Sequence, residues 1–162
     1  MPQTYSVGMA ELRIARTPDV LASHGIGSCI IAIMYDPSNK IGGLVHVMLP
    51  DSSGIQRDKI NPRKFADSAL PLLYQTLLHA GADKKHLWCK LVGGAEMFPP
   101  AGDGFSNAIG AKNLEASQTA VAKIGIPLLS MDVGGRTGRS LSLDLENGRV
   151  SVSILGRKLK EI

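Results

Sequence analysis

Two apolar runs separated by a short polar turn constrain the fold of this 162-residue chain more than any other feature. The runs cover residues 28–35 and 41–49, and each has the composition of an extended segment. The intervening DPSNK, residues 36–40, is a typical turn sequence. The sequence therefore predicts a β-hairpin that carries Cys29 near the start of its first arm and His46 on its second arm.

The rest of the chain predicts a few helices among short strands. Asn61 and Pro62 are typical of a helix start and Gly81 of a helix end, while Pro71 would kink that helix or divide it. Asn147–Gly148 predicts a closing hairpin with a type I′ turn. The predicted elements outside the first hairpin are strands over residues 20–23, 87–91 and 126–133, helices over 62–80 and 111–123, and the closing hairpin over 142–154. This order predicts one α/β domain over residues 1–162, with mixed sheets.

The composition excludes several classes of protein. Apolar residues make up 44% of the chain and charged residues 20%, which is typical of a globular protein. The sequence has no apolar run of about 18 residues, so no transmembrane helix is expected. The first residues show no signal peptide, so we expect a cytoplasmic protein with free thiols. The net charge of +4 is spread along the chain and aromatic residues are only 4%, which favours a solvated basic surface over nucleic-acid binding.

Cys29 lies in HGIGSC, beside a glycine turn, where a ligand could approach it closely. The N–H groups of Gly27, Ser28 and Cys29 could converge on one point, as in an oxyanion hole. A neighbouring imidazolium would lower the thiol pKa and activate it. The alternative is a buried cysteine that begins a core strand, and the residues alone leave both interpretations open. Cys89 shares a strand face with apolar neighbours, and we interpret it as structural.

Among the four histidines, His46 is the best candidate for a base beside Cys29. It lies in an almost wholly apolar strand, opposite the arm that begins with Cys29, so the two side chains can meet. It is either a satisfied core histidine or a functional one. His24 is close to Cys29 in sequence but precedes the turn, so it ranks second.

Other motifs give weaker indications. The chain has no P-loop, no GxSxG motif and no histidine or cysteine spacing typical of zinc, so no metal or organic cofactor is expected. The segment GGRTGR could bind a phosphate through Arg136 or Arg139, although it is more typical of a turn between strands.

The run PDVLASHGIGSCIIAIMYDPSNKIGGLVHVMLPDS resembles the signature of the CheD family of chemoreceptor glutamine deamidases. Further segments agree with the same family: FADSALPLL, KLVGGAEMF, IGAKN, GIPLLSMDVGGRTGR and LDLENGRVSV. The resemblance covers nearly the whole chain. Three departures, at His24, Val92 and Ala111–Lys112, concern the partner surface rather than the chemistry.

The resemblance implies a cysteine hydrolase that converts glutamines of methyl-accepting chemoreceptors to glutamate through a thioester. It assigns the nucleophile to Cys29, the histidine to His46, and the third polar residue, commonly threonine, to Ser23. The implied fold is a three-layer α/β/β arrangement similar to the catalytic domain of cytotoxic necrotizing factor. The implied partners are the cytoplasmic domains of chemoreceptors and, in many species, a CheC-like phosphatase.

Three alternatives remain open at this point. The chain could be a binding module that regulates a CheC-like phosphatase, with catalysis secondary, or a thiol redox protein in which Cys89 approaches Cys29. Ser23 could simply cap the turn instead of orienting His46. Because the residues around Cys29 show no paired acid and arginine, we expect protein segments rather than free glutamine as substrates.

Overall fold

The computed structural model describes residues 1–97, 108–154 and 159–162. These residues form ten strands, two α-helices and one short 3-10 helix. The strands are β1 Thr4–Ser6, β2 Leu12–Arg16, β3 Val20–Ile26, β4 Ile30–Asp36, β5 Ile41–Val47, β6 Trp88–Gly93, β7 Leu128–Val133, β8 Arg139–Asp144, β9 Arg149–Ile154 and β10 Lys160–Glu161. The helices are α1 Ala66–His79 and α2 Ile109–Ile124, and the 3-10 helix is Arg57–Lys59.

The strands form two five-stranded sheets. The central sheet has the order β2-β5-β4-β6-β7, and the outer sheet has the order β1-β3-β8-β9-β10. Each sheet has one parallel pair, β6 with β7 and β1 with β3, among antiparallel neighbours. The prediction of a single α/β domain with mixed sheets is therefore confirmed.

The central sheet is covered on both faces, which explains the continuous apolar runs of β4 and β5. Ala32 and Met34 of β4 pack in a cluster with residues of both helices. Ile31 and Ile33 point the other way, into a cluster with residues of the outer sheet. All seven residues of β4 are buried, since neither face of this strand meets solvent. The layers are thus helices, central sheet and outer sheet.

Helix α1 begins later than the sequence predicts. Asn61 does not cap it; its side chain accepts a hydrogen bond from the N–H of Arg63. Residues 62–64 form a turn in which the N–H of Lys64 donates to the carbonyl of Asn61, and Phe65 is extended and pairs with Leu49. This pairing delays the helix to Ala66. The helix then continues through Pro71 to His79.

The closing hairpin is confirmed, but its turn is not type I′. A type I′ turn needs positive φ at both central residues, whereas Gly148 has φ +74° and Asn147 is not in the left-handed region. Asp144 pairs with Arg149, which leaves four residues in the loop. Leu145 at the start of this loop is buried between the sheets, so the longer loop buries a core side chain.

Candidate active site

His46 points from the central sheet toward the outer sheet. On β5 it pairs with Ile31 of β4, whose side chain belongs to the cluster between the two sheets. The imidazole is 2% exposed, and its Nδ1 lies 3.3 Å from the Oγ of Ser23 on β3. The predicted Ser23–His46 contact therefore exists in the structure, and it joins the two sheets.

The Ser23 hydroxyl fixes which nitrogen of His46 carries the proton. Ser23 is fully buried, and its Oγ donates a hydrogen bond of 2.7 Å to the carbonyl of Val7. A hydroxyl has one proton, so toward His46 this oxygen acts as an acceptor. Nδ1 must then be the protonated nitrogen. Nε2 keeps its lone pair and has no hydrogen-bond partner among the described residues.

The surroundings of His46 favour its neutral form. Burial lowers the pKa of His46 below its ordinary 6.5, while the Val7 carbonyl and the charge of Glu11 oppose that shift. Backbone hydrogen bonds to Ala10 and Glu11 hold the residue in place. At neutral pH the side chain is thus an uncharged base with a free Nε2.

Cys29 lies at the end of the hairpin that is close to His46 in register. It directly precedes β4, two residues before Ile31, the partner of His46. Such diagonal positions of an antiparallel ladder lie about 7–8 Å apart between Cα atoms, within reach of longer side chains. The thiol is half-buried. This register is compatible with a meeting of Cys29 and His46, and the contact between the two side chains stays a prediction.

Burial raises the pKa of the Cys29 thiol, and the residue's own N–H opposes that effect. This direction is opposite to the expectation that an imidazolium lowers the thiol pKa, because burial of the thiol is the largest effect. Burial also lowers the pKa of His46, so both groups are neutral at neutral pH. Proton transfer from sulfur to nitrogen would then accompany attack on a substrate.

The turn before Cys29 has three backbone N–H groups without an acceptor in the part of the chain that the structure describes. Gly25 has φ +65°, which favours glycine, while Gly27 is not in the left-handed region. The N–H groups of Gly27, Ser28 and Cys29 donate to no other described residue. Their role as an oxyanion hole stays a prediction.

His24 takes no part in this arrangement. It follows Ser23 on β3, so their side chains point to opposite faces of the outer sheet. Ser23 is buried between the sheets and His24 is exposed. Of the two candidate bases, the structure brings His46 to the Ser23 hydroxyl.

Comparison with known proteins identifies the family. A model for the family described as CheD chemotactic sensory transduction matches residues 48–154. The chain belongs to the CheD family. The matched segment begins after Cys29 and His46, but whole-chain relatives extend the similarity over both.

Curated CheD relatives share more than a third of their residues with this chain. A probable chemoreceptor glutamine deamidase CheD from Symbiobacterium thermophilum is 43% identical, covering 97% of this chain and 96% of the relative. Another, from Caldanaerobacter subterraneus, is 40% identical over 96% of both chains. The chemoreceptor glutamine deamidase CheD from Halalkalibacterium halodurans is 37% identical over 100% of both. Among residues 1–97, 108–154 and 159–162, no helix is long and apolar enough to cross a membrane.

Cys89 is a core residue in this CheD family member. It is fully buried among apolar side chains on the helix side of the central sheet, and burial raises its pKa to about 12. It pairs with Met34 of β4, five residues beyond Cys29, which corresponds to about 16 Å along a strand. A disulfide needs Cα atoms within about 7 Å, so this arrangement excludes a Cys29–Cys89 bond.

Arg139 has a structural role, so it is not the phosphate ligand that GGRTGR suggested. Its Nε lies 3.3 Å from Asp132 Oδ1, and both side chains are buried. Its Nη1 donates to the carbonyl of Gly93 at 2.7 Å, and its Nη2 donates to Gly134. The guanidinium thus fixes residues 93–95, here called the glycine corner, which lie against Cys29.

Asn113 is a site neighbour that sequence reasoning missed. Its Nδ2 donates to the carbonyl of Ser28 at 2.9 Å and to the carbonyl of Met48 at 3.1 Å. These residues flank the candidate pair, because Ser28 precedes Cys29 and Met48 is two residues past His46. The one sequence signal was its place in IGAKN, a segment noted only for its family resemblance.

Proposed function

We propose that this chain is a protein-glutamine amidohydrolase that converts glutamine side chains of methyl-accepting chemoreceptors to glutamate. The observation that carries the proposal is the direction of the Ser23 hydroxyl. By donating to Val7 it makes Nδ1 of His46 the protonated nitrogen, which leaves Nε2 with no partner among the described residues and able to accept the proton of Cys29. Curated relatives named as chemoreceptor glutamine deamidases support the choice of substrate.

In the first half of the reaction, Sγ of Cys29 attacks the carboxamide carbon while its proton passes to Nε2 of His46. The carbonyl oxygen becomes an oxyanion, which the N–H groups of Gly27, Ser28 and Cys29 would stabilise. The imidazolium then gives its proton to the departing nitrogen. Ammonia leaves, and the substrate remains bound to sulfur as a thioester.

In the second half, neutral His46 accepts a proton from water as that water attacks the thioester carbon. A second oxyanion forms and collapses, the C–S bond breaks, and the imidazolium returns the proton to sulfur. The products are glutamate and the regenerated thiol. These residues need no metal or organic cofactor for either half.

The substrate in this proposal is a protein segment presented from outside. The turn at Gly25 is exposed, and the half-exposed Met97 packs beside Gly27. Receptor cytoplasmic domains would meet this face, so the protein would act in the cytoplasm, without membrane insertion or nucleic acid. A CheC-like phosphatase that competes for the same face is the further partner that the resemblance suggests. The three layers also support the suggested likeness to the catalytic domain of cytotoxic necrotizing factor.

The test is incubation of the protein with a receptor cytoplasmic fragment and, separately, with free glutamine. Ammonia release and peptide mass spectrometry follow the reaction. We expect specific receptor glutamines to become glutamate, with far slower turnover of free glutamine. A fragment that binds but is never deamidated would contradict the proposal and favour a binding module. Comparable turnover of free glutamine would contradict the choice of substrate.

A further inference from the structure

Asn113 connects helix α2 to the backbone on both sides of the candidate pair. The side chain is fully buried, and both of its hydrogen bonds go to carbonyls beyond the last β4–β5 pair, Ile30 with Val47. Its Oδ1 has no partner among the described residues. Burial of an amide in this position costs desolvation free energy that an apolar side chain would avoid. The two hydrogen bonds of the amide offset that cost.

Close packing of glycines places this amide where it can reach Ser28. Gly110, one turn earlier on α2, lies so close to the Gly93–Ala95 corner that a Cβ would be 2.5 Å from the Gly94 carbonyl. Gly94 in turn donates its N–H to the carbonyl of Cys29 at 2.8 Å. The start of α2 and the Cys29 turn are therefore held in one rigid arrangement.

The hydrogen bond to Ser28 also orients the next N–H group. The carbonyl of Ser28 and the N–H of Cys29 belong to one peptide unit, which is trans, so they point in opposite directions. Because Asn113 holds the carbonyl toward the helix layer, the Cys29 N–H points away from α2. His46 also points away from the helices, toward the outer sheet.

We propose that Asn113 is a positioning residue: by holding the Ser28–Cys29 peptide, it aims the Cys29 N–H at the oxyanion. This inference rests on the proposed function, since it assigns a role within the same reaction. A positioning role for Asn113 predicts a result that a purely structural role does not. Loss of Asn113 should slow reactions that form an oxyanion at Cys29, and leave other reactions of the same thiol unchanged.

Two small probes separate these cases without a receptor. p-Nitrophenyl acetate acylates a thiol through a tetrahedral oxyanion, releasing p-nitrophenol and leaving a thioester. Iodoacetamide alkylates the same thiol by displacing iodide, with no oxyanion. Both rates are read on the Cys29 peptide by mass spectrometry, as a function of pH.

The variants are Asn113→Leu, which keeps the branching at Cγ but replaces the amide by two methyl groups, and Asn113→Ala, which removes the amide without adding bulk. Ser117→Ala is the matched control, since Ser117 lies one turn further along α2, is fully buried, and its Oγ has no partner among the described residues. Circular dichroism melts select variants that fold. Losing one oxyanion donor costs about 100- to 1,000-fold, so a donor that is only misaligned should cost roughly 10- to 100-fold in acylation.

We expect this loss in the Asn113 variants, with the pH profile of alkylation as in the parent protein and Ser117→Ala normal in both reactions. Equal losses in acylation and alkylation would overturn the inference, because Asn113 would then only hold the thiol near His46. Unchanged acylation would also overturn it. Failure of the parent protein to deamidate receptors would contradict the proposed function and leave this comparison intact.

Discussion

Substitution of Gly93 by alanine should destabilise the protein, because the added Cβ would clash with the backbone of Cys29. Gly93 has φ +121°, and a Cβ there would lie 2.1 Å from the Cys29 carbonyl oxygen and 2.9 Å from Ile26 Cγ2. The backbone strain costs about 1–3 kcal/mol and the overpacking about as much again, so we expect a loss of about 2–6 kcal/mol. Domains of this kind have a free energy of unfolding of about 5–15 kcal/mol, so this loss is a large fraction.

Urea denaturation, read from the midpoint at constant slope, measures this loss. Gly134→Ala is the matched control, because Gly134 has φ +83° but a Cβ there would have no neighbour within 4 Å. That control should lose only about 1–2 kcal/mol, from backbone strain alone. A Gly93 variant no less stable than the Gly134 variant would refute the close packing of the glycine corner against Cys29.

Three further substitutions or titrations test the site. Ser23→Ala should lower the deamidation rate by roughly 10- to 100-fold, a loss of about 1.4–2.7 kcal/mol of transition-state stabilisation. Ser23→Thr should retain the rate. An unimpaired alanine variant would show that His46 needs no third residue to orient it. Because burial lowers the pKa of His46 below its ordinary 6.5, the acid limb of the pH–rate profile should have its midpoint below 6.5. A midpoint above 6.5, or an acid limb that persists in His46→Ala, would exclude His46 as the base. Arg139→Met should lower the free energy of unfolding by about 3 kcal/mol, measured by urea denaturation, because buried Asp132 then keeps only the exposed Lys160 as a partner. An unchanged free energy of unfolding would show that the buried ion pair is dispensable.

The central hairpin could be predicted because its signals are local. Asp36 accepts the N–H groups of Ser38 and Asn39, at 2.8 Å and 3.1 Å, which is the turn chemistry that DPSNK indicates. The register of the two arms then pairs His46 with Ile31, two residues after Cys29. Each of these steps depends on residues within about twenty positions of one another, so the sequence contains the needed information.

The rest of the site depends on contacts between distant segments. The carbonyl of Val7, which fixes the Ser23 hydroxyl, lies in a short N-terminal segment whose strands were not predicted. β1 has three residues and β2 has five with mixed exposure, so neither shows a clear alternation. Asn113 is 85 residues from Ser28 in sequence, and no pattern of spacing connects them. The late start of α1 has the same origin, because Leu49 draws Phe65 into pairing.

The most direct test of the account is the comparison of two cysteine variants on a receptor cytoplasmic fragment. Cys29→Ala removes the half-buried thiol that we propose as the nucleophile, whereas Cys89→Ala removes a fully buried thiol whose pKa burial raises to about 12. Circular dichroism first establishes that both variants fold, and mass spectrometry then counts the glutamines converted to glutamate. We expect no conversion with Cys29→Ala and near-normal conversion with Cys89→Ala. Conversion by a folded Cys29→Ala protein would contradict the assignment of Cys29 as the nucleophile.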